Sequence, residues 1–148
     1  MLKLNGQDFT TGSAKFLDEG EDLRESTPKV FVRVEFPELA SWSRTFAQLD
    51  TGAAWSVLRR DVAEALGVID GAGELVRMRT AAGTLQGRLE RVPLTLIADE
   101  GISLTLQATF FVSRQWRGGT FLGYTGLLDK LRIALDSPAN QFYFGEES

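Results

Sequence analysis

The chain contains neither cysteine nor histidine. It therefore cannot form a disulfide, a cysteine nucleophile, a Ser-His-Asp triad or a zinc site with His or Cys ligands. Only four of its sixteen cationic residues are lysines, and none of these has a serine partner in a recognisable motif. What remains for an enzyme is carboxylate chemistry or an all-oxygen metal site, and carboxylates are the candidates that we follow.

Two further absences bear on partners and location. No apolar run reaches the roughly 18 residues of a membrane-spanning helix, and no basic start is followed by the apolar stretch of a secretory signal. The formal net charge of -4 and the pI near 4.9 argue against a surface that binds nucleic-acid phosphates. We therefore expect a cytoplasmic protein with neither nucleic-acid nor membrane partners.

With 148 residues, of which 43% are hydrophobic, the chain is long enough for one well-packed domain. Residues 1–29 mix Gly, Ser, Thr and acidic residues, so we expect an N-terminal arm that is flexible or part of an interface. Residues 30–148 are expected to form the folded domain. The short apolar pieces at 2–4 and 16–17 could pair with a sheet edge or contact a second subunit, and the sequence leaves both alternatives open.

Alternating apolar and polar residues predict many short strands. The predicted strands cover residues 30–36, 44–49, 75–80, 84–89, 92–97, 102–112, 132–135 and 141–144. A helix is predicted over 61–66 with Gly67 as its C-terminal cap, and Leu127, Leu128 and Leu131 have helical spacing. The strands 75–80 and 84–89 enclose small residues, which predicts a hairpin. This pattern is typical of an all-β domain, closed or sandwich-like, with one or two short helices.

Asp50 directly follows the second predicted strand and begins the sequence Asp50-Thr51-Gly52-Ala53. A carboxyl held at a strand end can act as both acid and base. The Thr51 hydroxyl can cross-link the loop, and Gly52 lets backbone and substrate approach closely. The same tripeptide is also common in plain turns, so a purely structural β-barrel is one alternative.

The order of these parts resembles the retropepsin-like aspartic proteases, in their bacterial-type single-domain form, over residues 30–145. In that family a strand pair leads into Asp-Thr-Gly-Ala, and a glycine-containing flap hairpin follows some thirty residues later, here at Ala81-Ala82-Gly83. An apolar-apolar-Gly element then packs beside the catalytic loop, here Phe121-Leu122-Gly123, before a short helix and a terminal strand. The resemblance implies a closed β-barrel with the acid protease fold.

The resemblance also implies a function, that of an endopeptidase acting on a peptide or protein substrate. The family's chemistry needs two carboxyls that share a proton, and this chain has one Asp-Thr-Gly, so a homodimer with two copies of Asp50 is implied. No metal or organic cofactor is implied. The remaining implied site residues are Thr51, Gly52, Ala53, Leu122 and Gly123 as active-site support and Thr80, Ala81, Ala82, Gly83 and Thr84 as flap and substrate-binding residues.

Two positions depart from the retroviral members of the family. Those members usually have an aspartate directly after Asp-Thr-Gly-Ala and an arginine directly after the apolar-apolar-Gly element, and the two pair with each other. Here the positions hold Ala54 and Tyr124, so both partners are replaced together and no lone charge remains. In those relatives the aspartate also binds the substrate backbone, and Ala54 cannot do so. A non-catalytic domain that binds a peptide or protein partner is therefore the main alternative function.

Overall fold

The structure is a computed structural model that describes residues 1–18, 29–39, 45–81 and 83–147. The predicted flap residue Ala82 and the predicted strand start at Arg44 lie outside this part of the chain. The described residues form β1 (Lys3–Leu4), β2 (Gln7–Asp8), β3 (Gly12–Lys15), β4 (Phe31–Glu35), β5 (Thr45–Leu49), β6 (Ser56–Val57), α1 (Arg60–Leu66), β7 (Glu74–Thr80), β8 (Gly83–Leu96), β9 (Glu100–Gly101), β10 (Leu104–Val112), β11 (Phe121–Leu122), a 3-10 turn (Leu128–Lys130), β12 (Leu131–Asp136) and β13 (Gln141–Glu146).

Six of these strands close into a barrel. Their order is β10, β6, β11, β5, β4 and β8, and β8 pairs again with β10, from Leu104 opposite Leu96 to Val112 opposite Arg88. β11 runs parallel to β5 and antiparallel to β6, so these short strands complete the ring between the longer ones. Among the described strands, β7 pairs with β8 alone, and it stands outside the ring as one arm of a hairpin. The predicted all-β closed barrel is confirmed.

The barrel interior contains the apolar side of the alternating strands. Its buried side chains include Val32, Val34, Ala47, Val92, Leu94, Leu96, Ala108, Phe110 and Val112. Phe111 lies on the other side of β10 but is also fully buried, because the β7–β8 hairpin covers that side next to Gly87. One expectation for this strand was wrong. Ile102, the first residue of the strand predicted over 102–112 and expected on its core-facing side, lies in the loop between β9 and β10 and is 69% exposed.

A second sheet carries part of the N-terminal segment into the domain. Its order is β12, β13, β3 and β9, and β3 pairs with β13 from Lys15 opposite Gln141 to Gly12 opposite Phe144. Ala14 and Phe16 are buried in the core, and Leu17 forms a bridge with Phe31. The apolar piece at 16–17 could pair with a sheet edge or contact a second subunit, and the described residues show the first of these, since Leu17 pairs with Phe31 at the start of β4. Residues 19–28 of the expected arm lie outside the described part.

The remaining predicted elements are present with small shifts. The helix α1 ends at Leu66, and Gly67 after it has a left-handed φ of 74° and forms the expected glycine cap. The strands predicted at 84–89 and 92–97 form one continuous strand, β8. Pro93 fits inside it because, of the strands described, only β10 pairs with residues 90–94. On the other side of Pro93 no described strand needs a ladder hydrogen bond from it. Leu131, predicted in a helix, begins β12 after the 3-10 turn.

Candidate active site

Asp50 is held at the end of β5 by hydrogen bonds with the adjacent strand β11 and with its own loop. Its backbone N–H donates to the Leu122 carbonyl of the adjacent β11, at 3.0 Å. Its Oδ1 accepts the Gly52 N–H at 3.0 Å, and its carbonyl accepts the Ala53 N–H at 3.2 Å. The side chain is half-buried, whereas Thr51 and Gly52 are exposed. This loop therefore fixes one carboxylate oxygen and leaves the other available for chemistry.

The glycine of the apolar-apolar-Gly element lies against the loop that follows Asp50. The Gly123 N–H donates to the buried Ser56 Oγ at 2.9 Å. A Cβ at Gly123 would lie only 2.3 Å from the Trp55 carbonyl oxygen and 2.7 Å from the Ser56 nitrogen, both backbone atoms. Leu122 beside it is completely buried. Only glycine fits at this position, and Leu122 and Gly123 support the site from beneath without lining it.

The two positions that depart from the retroviral pattern are neighbours in the structure. The Tyr124 N–H donates to the Ala53 carbonyl at 2.8 Å, and the Thr125 N–H donates to the Ala54 carbonyl at 2.9 Å. The loop after Asp50 and the loop after β11 are thus joined through their backbones. Ala54 is exposed and Tyr124 is 55% exposed, so the double replacement leaves no buried charge without a partner.

The β7–β8 hairpin lies across a cleft from Asp50. Thr80 faces Gly83 in the register, its Oγ1 donates to the Gly83 carbonyl at 2.8 Å, and Gly83 has a φ of 116°, which favours glycine. Thr80 and Ala81 line the cleft, while Gly83 and Thr84 are exposed and do not. Of the predicted site residues, the cleft therefore brings together Asp50, Gly52, Ala53, Thr80 and Ala81.

The cleft has a volume of about 720 Å³. Sequence reasoning missed most of its wall. The additional lining residues are Ala54, Trp55, Val57, Arg77, Met78, Arg79, Trp116 and Phe121. The Trp116 and Phe121 rings meet edge to face with centroids 5.7 Å apart, and the Trp116 Nε1–H donates to the Gly119 carbonyl at 2.9 Å. The wall is largely apolar, which is typical of a site that binds an organic ligand or peptide. The aromatic residues flanking Gly118 and Gly119 were the available sequence signal.

Asp50 is the only carboxylate among the described residues that line this cleft. Two other aspartates in the second half of the chain, Asp129 and Asp136, accept hydrogen bonds within turns of their own. Asp129 Oδ1 accepts the Gly126 N–H at 3.0 Å, and Asp136 Oδ1 accepts the Ala139 N–H at 3.3 Å, each within its own turn. Within the described part of the chain, no group of three or more acidic side chains is placed to hold a metal ion. Among the described residues, the cleft therefore has one carboxylate for acid–base chemistry.

A separate ion pair joins two loops near the base of the hairpin. The Arg114 guanidinium donates two hydrogen bonds to the Asp70 carboxylate, with Nε 3.1 Å from Oδ1. These bonds hold the pKa of Asp70 below its ordinary value and raise the pKa of Arg114. Both side chains are exposed, so the pair fastens loops at the surface and is screened by salt.

A closed all-β barrel with an Asp-Thr-Gly loop facing a hairpin across a cleft defines an acid-protease type of architecture. A solved retropepsin-like aspartic protease from Rickettsia conorii is similar, with a TM-score of 0.52 at 12% identity over 93% of this chain and 95% of that one. The retroviral protease-like domain of Ddi1 from Leishmania major aligns with a TM-score of 0.45 at 15% identity, over 81% of this chain and 94% of that domain. The chain has the retropepsin-like fold.

Comparison by sequence adds no relative, since no protein-family model and no curated protein matches the chain. None of the helices in the described ranges is both long and apolar enough to cross a membrane.

Proposed function

We propose that this protein is an aspartic endopeptidase, with a water molecule activated between the Asp50 carboxyls of a homodimer. The observation that carries the proposal is the position of Asp50. Its carboxylate is half-buried, is oriented by the Gly52 N–H, and lines a cleft whose opposite wall is the β7–β8 hairpin. The remaining lining is mainly apolar and is large enough for a segment of peptide.

A homodimer follows from the number of carboxyls. Peptide hydrolysis by this chemistry needs one carboxylate as base and one carboxyl as acid, and Asp50 is the only described candidate in the cleft. A two-fold axis beside the Asp50 loop supplies the second group from the partner. Thr51 and Gly52 are exposed on this loop, so their polar groups are available for contacts between the two subunits.

The proposed reaction begins with one proton shared by the two carboxyls. The unprotonated carboxylate takes a proton from the water as its oxygen attacks the peptide carbonyl, and the protonated carboxyl gives its proton to the carbonyl oxygen. When the resulting tetrahedral diol collapses, the carboxyl that took the proton from water gives it to the leaving nitrogen, the other carboxylate takes a proton from one diol hydroxyl, and the C–N bond breaks. The pair of carboxyls again shares one proton. The β7–β8 hairpin closes over the substrate and keeps bulk water away from these transfers.

A non-catalytic peptide-binding domain is the second candidate. The observation in its favour is that Ala54 and the exposed Tyr124 occupy the positions of the usual Asp and Arg. The aspartate that grips substrate backbone is therefore missing, although the cleft itself remains.

Hydrolysis of a mixed peptide library by the wild type and by Asp50→Asn separates the two candidates. Asparagine preserves shape and hydrogen bonding but cannot exchange the proton, so we expect kcat/KM to fall by at least about a hundredfold while the fold and dimer persist. The solution mass of both proteins, measured in parallel, reports the dimer. Equal hydrolysis by both proteins would remove Asp50 from the mechanism, and a folded dimer without any hydrolysis would favour the binding domain.

A further inference from the structure

Two arginines line the cleft that contains Asp50. Arg77 and Arg79 belong to β7, on the hairpin side. Neither forms an ion pair or a side-chain hydrogen bond with any described residue. The cleft thus has two guanidinium groups without a carboxylate partner, in a protein whose formal net charge is -4.

This concentration is unusual within the described chain, because most of its arginines have partners. Arg33, Arg59, Arg60 and Arg114 are ion-paired, Arg88 donates to the Gly73 carbonyl, and Arg132 lies over the Phe9 ring. The described arginines with no such partner are Arg77, Arg79, Arg91 and Arg117. Three of these four line the cleft or a smaller hollow beside it, which is described below. The fourth, Arg91, is exposed on β8 away from both.

The hollow beside the cleft extends the same pattern. It has a volume of about 430 Å³, and Trp116 lines both spaces. Arg59 and Arg60 in its wall are neutralised by Asp61 and Glu64 of α1, which leaves Arg117 as the cation of this hollow that has no ion-pair partner among the described residues. A peptide that passes Trp116 therefore meets a free guanidinium at this end and two more at the hairpin.

We propose that the cleft selects peptides with acidic side chains close to the bound segment, and that Arg77 and Arg79 read them. This inference rests on the proposed function, because it specifies which peptides the same cleft binds as substrates. Arg recognises carboxylates through two parallel N–H···O bonds, and the exposed Arg77 and Arg79 side chains can form such pairs with a peptide that enters the cleft. Apolar contacts from Trp55, Met78 and Phe121 would hold the intervening residues.

The charge balance of the cleft favours the same class of ligand. A pair of Asp50 carboxyls that share one proton carries one negative charge, whereas Arg77 and Arg79 of each subunit carry two positive ones. An acidic peptide therefore lowers the electrostatic energy of the closed site, and a lysine-rich peptide raises it.

The test measures binding on the Asp50→Asn protein, so that it does not depend on hydrolysis. Two synthetic peptide pools of equal length share apolar central residues, and one has Glu and Asp where the other has Gln and Asn. Binding is followed by tryptophan fluorescence, because Trp55 and Trp116 both line the cleft. We expect the acidic pool to bind about tenfold more tightly, a preference that falls as salt is raised.

The matched variants are Arg77→Gln with Arg79→Gln, and Arg91→Gln as the control for loss of positive charge. We expect the double variant to bind both pools equally and the control to keep the full preference. The proposal would be overturned if the Asp50→Asn protein bound both pools equally or bound neither pool. It would also be overturned if Arg91→Gln lost the preference for the acidic pool. Because these readouts need no catalysis, a wild type that fails to cut peptides would refute the protease and leave the binding result to stand or fall separately.

Discussion

Replacement of Gly123 by alanine tests whether the element after β11 supports the Asp50 loop through close backbone packing. The added Cβ would lie 2.3 Å from the Trp55 carbonyl oxygen, 2.4 Å from the Trp55 carbonyl carbon and 2.7 Å from the Ser56 nitrogen. All three are backbone atoms, so no side chain can rotate to make room. The loop that follows Asp50 must therefore move away from β11, or β11 must move away from the loop.

The cost has two sources. Overpacking a buried position costs about 1–3 kcal/mol. The movement also stretches the buried hydrogen bond from the Gly123 N–H to Ser56 Oγ, and a buried donor left unpaired costs about 1–3 kcal/mol more. We expect Gly123→Ala to lower the free energy of unfolding by about 3 kcal/mol, which for a chain of this size lowers Tm by about 10 °C.

Thermal unfolding followed by circular dichroism measures this change, with Gly119→Ala as the matched control. A Cβ at Gly119 meets nothing within 4 Å, so this variant should stay within about 0.5 kcal/mol of the wild type. Protein concentration is held constant, since a dimer's Tm depends on it. If Gly123→Ala unfolds within about 1 °C of Gly119→Ala, the support that we assign to this backbone contact does not exist.

Three further outcomes are expected. Hydrogen exchange in the β7–β8 hairpin should be fastest near Ala81 and Gly83. It should be slower near Gln86, because the Gln86 N–H donates to Gln115 and the Gln86 carbonyl accepts from Ser113. A peptide-like inhibitor should slow exchange at the tip, and exchange that does not change there would exclude a lid. The hydrolysis rate should be bell-shaped in pH with its maximum on the acidic side of neutrality, because only the singly protonated pair has both a base and an acid; a rate still rising at about pH 9 would contradict this. Asp70→Asn should lower Tm slightly near neutral pH. The pKa of Asp70 is lower in the folded protein than in the unfolded chain, so the ionised Asp70 stabilises the fold at every pH above its unfolded pKa. This stabilisation is lost as the pH falls through the folded pKa of Asp70. The difference from wild type should therefore shrink as the pH falls below the unfolded pKa of about 3.9, and a difference that grows on acidification would show that Asp70 acts otherwise.

The features that the sequence predicted well are those whose signals are local. Alternation over β4, β7 and β10, the glycine cap at Gly67 and the small-residue tip at Ala81 each depend on a few consecutive residues. The position of Asp50 at a strand end follows in the same way. These signals also placed the hairpin and the aspartate in the right order for a retropepsin-like barrel.

The features that the sequence missed depend on pairing between distant segments. β3 has small residues and little alternation, and it becomes a strand because β13, almost at the other end of the chain, offers an edge. β6 and β11 have two residues each, too few for any periodicity, yet they close the barrel. Arg77 and Trp116 meet at one cleft only after that closure, so their placement could not be read from either segment alone.

The central claim is that two copies of Asp50 act together, and a mixing experiment tests it most directly. Wild-type protein at a fixed concentration, high enough to be fully dimeric, is equilibrated with increasing Asp50→Asn protein before its hydrolysis rate is measured. Random exchange places wild-type chains in mixed dimers with a single carboxyl, so an equal amount of variant should lower the rate to about half, and a larger excess should lower it further. A rate that does not change with added Asp50→Asn, in mixtures shown to exchange subunits, would contradict the shared site.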